Sequence, residues 1–155
     1  MTRNFCFITF ALAVSTLGSG CARGFEIQTP DGFAELDGTD DYRYRSTSAE
    51  GVVLAIRREK NEPHGSLAFW SSALMNELAA RGYNLEKNLD VKSKDGTAGK
   101  QLRYLSSRDG RPNVLWVTVF VTDSRVVVVE SGGDVAHFEH VEPKVSAAIE
   151  ALDLS

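Results

Sequence analysis

The chain is poor in cysteine, with only Cys6 and Cys21 in 155 residues. That excludes the disulfide-built scaffold by which small exported domains offset a small core. Histidine is scarce too, with three, so few routes exist to a metal site or a histidine acid–base pair. No serine sits in a Gly-x-Ser-x-Gly elbow, which removes the simplest signature of nucleophilic catalysis. Cations are outnumbered, 17 Lys and Arg against 21 Asp and Glu, and they are scattered, Arg57, Arg58 and Lys60 being the densest group. Phosphate backbones are held by clustered cations, so nucleic acid is not an expected partner. No low-complexity tract, internal repeat or second domain boundary occurs.

What is present describes one ordinary domain. Hydrophobic residues make up 43% and charged residues 25%, close to globular averages, which argues against both disorder and a multi-span membrane protein. A mature domain of this length buries roughly two thirds of the surface its unfolded chain exposes, so it needs neither disulfides nor a structural metal. No cofactor is expected.

The first twenty residues stand apart. Arg3 supplies a positive start, and Phe5 to Leu17 is apolar apart from Thr9, Ser15 and Thr16. Small residues Gly18, Ser19 and Gly20 follow, which is the layout of a secretory signal peptide over residues 1–20. An uncleaved anchor is the alternative, because no charge falls between Arg3 and Arg23, but the glycines and hydroxyls shorten the apolar run below the about 20 residues of a spanning helix. Cleavage removes Cys6 and leaves Cys21 alone. A single thiol in an oxidising compartment has no internal partner, which points to covalent modification of Cys21. The mature chain then carries a formal charge of −5, since Arg3 is the only charge removed.

Leu17-Gly18-Ser19-Gly20-Cys21 resembles the lipobox of bacterial lipoproteins. The resemblance implies that Cys21 is the lipid attachment site and new N-terminus, with residues 21–24 a tether and 25–155 the globular domain. Two acyl chains suffice for stable anchoring where one is marginal. Leu17 stands one position farther from the cysteine than the family places it, so cleavage by the ordinary signal peptidase, for instance after Ala22, is the alternative. Ala22 rather than Asp after the cysteine implies, by analogy with enteric lipoproteins, the outer membrane.

Beyond the tether, Phe25-Glu26-Ile27-Gln28-Thr29 alternates and is read as a short first strand, closed by the turn residues Pro30-Asp31-Gly32. Tyr42 to Thr47 and Val52 to Arg58 form a hairpin around Ser48-Ala49-Glu50-Gly51. The period then changes: Leu67, Trp70, Leu74 and Leu78 predict an amphipathic helix, capped by Ser66 and closed by Gly82. Strands are predicted at Leu89–Lys92, Lys100–Ser106, Asn113–Thr122 and Arg125–Glu130, divided by Asp95-Gly96, Arg108-Asp109-Gly110 and Asp123-Ser124. Short connections force antiparallel pairing. Val114–Val117 and Val126–Val129 are apolar on both faces and so belong to central strands covered on both sides. Phe138, Val141, Val145, Ala148, Ile149 and Leu152 supply the second covering helix, capped by Asp134, with a break expected near Glu142 because Pro143 follows.

The predicted fold class is therefore α+β, an antiparallel sheet of about six to seven strands between two helices. The order βββ-α-ββββ-α resembles the PsbP-like fold. Phe25-x-Ile27-x-x-Pro30-x-Gly32-Phe33, Arg81-Gly82-Tyr83, the hairpin through Trp116 and Val128, and Ile149-x-x-Leu152 carry that resemblance. It implies an accessory or partner-binding protein without catalysis, and it transfers no site.

Local candidates for chemistry are few. His137-x-x-His140 shares a helix face near Asp134, Glu139 and Glu142, which fits loose metal ligation but fits a solvated helix start better. His64, the remaining histidine, reads as a loop residue. Ser131-Gly132-Gly133 joins strand to helix, where backbone N–H groups can hold phosphate, but no Lys follows and Asp134 would repel an anion. Tyr42-Arg43-Tyr44-Arg45 places aromatics on one strand face and arginines on the other, as core against solvent or as a surface for an anionic polymer. Asp40 and Asp41 read as polar turn, and Trp70 and Trp116 as core anchors. No catalytic, cofactor or metal residues are assigned. The expected protein is a non-catalytic envelope lipoprotein, held to the membrane at Cys21 and docking an unidentified envelope protein. A small-ligand or metal-binding extracytoplasmic module using His137 and His140 is the alternative.

Overall fold

The computed structural model describes residues 24–37, 41–108 and 110–155. Cys21, the signal segment and Asp40 lie outside the described residues. Seven strands, β1 (Phe33–Glu35), β2 (Tyr44–Ser48), β3 (Val53–Lys60), β4 (Asn84–Lys92), β5 (Ala98–Arg108), β6 (Arg111–Val121) and β7 (Arg125–Asp134), form one sheet. Its order is β1-β2-β3-β7-β6-β5-β4, antiparallel throughout. Helix α1 (Leu67–Ala80) follows β3 and helix α2 (Val135–Glu150) follows β7.

The helix ends form as the sequence dictates. Ser66 Oγ accepts from Phe69 N at 3.2 Å, which serves one of the free N–H groups of the first turn. At the other end Gly82 N donates to Ala79 O at 3.0 Å and Tyr83 N to Leu78 O at 3.0 Å. This paired return needs a left-handed residue, and Gly82 supplies it with φ +84°. Asp134 caps α2 by accepting from Ala136 N at 3.0 Å.

Three expectations are corrected. Phe25–Thr29 is not a strand: only Glu26 bridges to Asp153, while Phe25 is buried and Ile27 packs on the core. Alternation there serves a segment lying along the core, and the first strand begins later, at Phe33. Ser131-Gly132-Gly133 is not a strand-to-helix turn but the end of β7, paired with β6 through Asp134. A Cβ at Gly132 would sit 2.6 Å from Val114 O, so the glycine admits close backbone approach rather than a bend. Finally, α2 runs unbroken through Pro143. Pro143 is exposed, and Phe138 and Val145 on either side of it are both buried. Packing on both sides holds the helix over the missing hydrogen bond.

The central strands β6 and β7 are covered on both faces, as their unbroken apolar runs require. On one face Tyr44, Leu54, Ile56, Trp116, Phe120, Val127 and Val129 pack against Phe138, Val145, Ile149 and Leu152 of the α2 region. On the other, Val117, Val119, Val126 and Val128 meet Leu67, Trp70, Leu74 and Leu78 of α1. Every named α1 residue is only half-buried, because α1 packs over β4, β5 and β6 and leaves the β2-β3 side of its face bare.

Candidate functional site

Strand register decides what that bare side displays. Paired residues in a sheet share a face, so the α1 face can be read in rows across the strands. One row runs Thr47, Val53, Gly132, Leu115, Tyr104, Leu85, and the next Arg45, Ala55, Glu130, Val117, Leu102, Asn88. On the α1 side of these rows Val117, Leu102 and Tyr104 are buried, while Leu85 and Asn88 on the β4 edge stay exposed. The earlier members form the floor of a trough along β3 and β7.

At one end the trough deepens into a cleft of about 670 Å³. Arg81, Gly82 and Tyr83, which follow α1, and Asn84, which begins β4, line one side. Ser106, Ser107 and Asn113 of the β5–β6 hairpin and Gly132 to Asp134 of β7 form the other. Gly132 adds no side chain, and this keeps the floor open. A second depression of about 260 Å³ shares Val53, Leu115 and Gly132 with the cleft and continues it past Ala55 to Tyr42, Arg45 and Glu130.

The polar centre of the trough is Glu130. Its Oε1 pairs with the Arg57 guanidinium and its Oε2 accepts from Tyr42 Oη at 2.8 Å. Burial first, then donation to the Glu130 carboxylate, raises the Tyr42 hydroxyl above the usual phenol range, so it stays protonated as a donor. Arg57 Nε is buried without a hydrogen-bond partner. The cleft's carboxylates are thus engaged, Glu130 by Arg57 and Tyr42, and Asp134 by the α2 N-terminus. The arrangement offers hydrogen-bond donors and guanidinium charge over an apolar floor.

The sequence candidates are dispersed. His137 and His140 lie exposed on α2, and His64 is exposed between β3 and α1, at the opposite end of the sheet from the start of α2. Among the described residues no group of three or more His, Cys, Asp or Glu is placed to hold a metal. Asp41 is exposed. Tyr44 is core, as expected, but Tyr42 turns to the arginine side, where it meets Glu130. Trp116 is buried, edge-on to Phe138 with Arg103 stacked 3.6 Å over its ring. Trp70 is half-buried and donates to Asn61 Oδ1 at 2.8 Å. Sequence reasoning singled out Gly132, Gly133 and Asp134 of the cleft, and Tyr42, Arg43 and Arg45 of the trough through the Tyr-Arg alternation, but it missed Glu130 and the meeting of these residues, since only register aligns them.

No protein-family model matches the chain, and no curated protein matches it by sequence. Solved structures do match it by fold. LpqN, involved in cell envelope biogenesis of Mycobacterium tuberculosis, superposes with a TM-score of 0.68 at 10% identity, over 83% of each chain. The cyanobacterial PsbP (CyanoP) of Synechocystis gives 0.60 at 11% identity, over 96% of this chain and 99% of its own. Protein PA94 of Pseudomonas aeruginosa, of unknown function, gives 0.58 at 19% identity, over 79% of this chain and 82% of its own. These likenesses establish a fold, the PsbP-like α+β sheet with two helices.

Proposed function

We propose that this is an exported envelope protein, lipid-anchored at Cys21, whose domain docks a partner in the trough beside α1 and performs no catalysis. The observation that carries the reading is geometric. Gly24, the first described residue, lies against Arg58 at the sheet end that holds the β6–β7 turn, and Glu26 bridges to Asp153 there. The cleft opens at the other end, where Gly82 and Gly133 lie. A tether leaving from Gly24 therefore presents the cleft away from the surface that holds the protein. The envelope role of LpqN, a fold neighbour, agrees with this reading.

The anchor is tested with labelled palmitate in cells. Incorporation is expected in the natural chain and none in Cys21→Ser; label retained by the variant rejects the anchor. A second reading, a small polar ligand in the cleft, is favoured by its volume of about 670 Å³, within the range of small-molecule sites. A metal site at His137 and His140, which lie on α2 outside the cleft lining, is tested separately by metal titration, because binding unchanged in His137→Ala removes it.

A further inference from the structure

The trough gathers arginines although the chain as a whole is acidic. In a chain of formal charge −4, the cations placed along it are all arginine: Arg45 in its middle, Arg57 and Arg43 toward the start of β2, Arg81 at the cleft. Most of them are matched by carboxylates. Glu130 is paired with Arg57 and Glu77 with Arg81, Asp134 caps α2, and Asp41 and Glu59 sit at the far end beside Arg43 and Arg58. The middle is thus left to Arg45, which makes no ion pair among the described residues. Guanidinium groups match planar carboxylates with two parallel hydrogen bonds. Glu130 shows a carboxylate held on this floor, by one nitrogen of Arg57 and the Tyr42 hydroxyl, with Arg57 Nε left without a partner.

Between the arginines the floor is apolar, the half-buried Val53 and Leu115 flanking the already buried Ala55. A polyphosphate has nothing to bury there, whereas an extended peptide with acidic and aliphatic side chains two residues apart, hence on one face, does. From Val53 to Arg57 the floor spans four residues of strand, about 13 Å, which an equal number of extended peptide residues covers. Asn84, Ser106, Ser107 and Asn113 at the cleft offer side-chain hydrogen bonds to its backbone.

We propose that the trough receives an extended acidic segment of a partner protein, its carboxylates on Arg45 and Arg57 and an aliphatic side chain over Val53, Ala55 and Leu115. This rests on the trough being the docking surface. Glu130 then acts as an internal competitor, occupying Arg57 until the segment arrives.

The test uses the full chain in detergent and a fluorescent Glu-Ser-Val-Ser-Glu peptide, whose Glu and Val share one face when extended, with a Lys-Val counterpart in which both Glu are Lys, read by anisotropy. Saturable binding that weakens with added salt is expected, with none for the Lys-Val counterpart. Arg45→Glu should weaken it at least about tenfold, while Glu130→Gln, which frees Arg57, should strengthen it about threefold. A folding defect would weaken both, and their melting temperatures are measured alongside. Equal binding of the Lys-Val peptide, preference for inorganic polyphosphate, or an unchanged affinity in Arg45→Glu overturns the proposal. The docking reading is checked separately with a photoreactive residue at Thr47 in cells. A partner crosslinked there, with no acidic peptide bound in vitro, overturns the acidic chemistry alone; no crosslink to any envelope protein rejects the docking surface itself.

Discussion

Asn61 shows how one side chain can join three segments. It is buried, and its amide donates to Gly65 O at 3.1 Å and Thr122 O at 3.0 Å. Its carbonyl accepts from Gly65 N at 2.9 Å and Trp70 Nε1 at 2.8 Å. The end of β3, the start of α1 and the β6–β7 turn are thereby fixed together. Asn61→Asp keeps the acceptor but loses both donors and buries a charge, so it should cost about 3 kcal/mol, read as a lower denaturant midpoint at constant slope. Asp95 is the pH-sensitive counterpart. Hydrogen bonds from Thr97, then Ser93, hold its carboxyl below the usual range, and it also accepts from Leu154 N at 3.1 Å. A depressed folded pKa stabilises the fold above the unfolded value and loses that contribution as pH falls through the folded one. Thr97→Val should therefore move the Asp95 titration upward, followed by NMR of its side-chain carboxyl; an unmoved midpoint contradicts the assignment. Nothing in the sequence around Asn61 or Asp95 distinguishes either from an ordinary loop residue.

Among the elements, α2 and β7 show where local pattern and tertiary packing part company. Pro143 lies inside α2 at a position where Ala would restore a backbone donor and remove ring crowding. Pro143→Ala is accordingly expected to stabilise the protein by about 1 to 3 kcal/mol, seen as a higher melting temperature. No change would mean that the helix around Glu139 is already relaxed. The period of α1 and both caps were legible in sequence because helix signals are local. The glycines of β7 were not, since a glycine pair reads as a turn unless the neighbouring strand is known, and the neighbour is β6 with Val114 O beneath Gly132. β4 is an edge strand, and its Glu86, Lys87, Asp90 and Lys92, with a register shift between Leu85 and Lys87, guard it against pairing with another chain.

At the scale of the molecule, one helix covers each face and neither covers all of it. The trough lies beside α1, and Gly24, the first described residue, and the cleft lie at opposite ends of the sheet. Energy transfer to a lipid-surface dye should accordingly be stronger from a fluorophore at His64, beside the tether end, than from one at Ser107 in the cleft. Equal transfer from both sites would contradict the orientation.

The sequence by itself determined the element order, the antiparallel pairing and the two-sided cover of β6 and β7, because periodicity, caps and short connections are local consequences of residue type. It also carried the expectation of an anchor at Cys21, which lies outside the described residues. Tertiary structure decided the rest. The first strand moved from Phe25 to Phe33 because the earlier segment found the core without a sheet partner. The trough came into being because register set Arg45, Ala55 and Glu130 in one row while α1 stopped short of them, and neither register nor helix placement is written in any one stretch of chain.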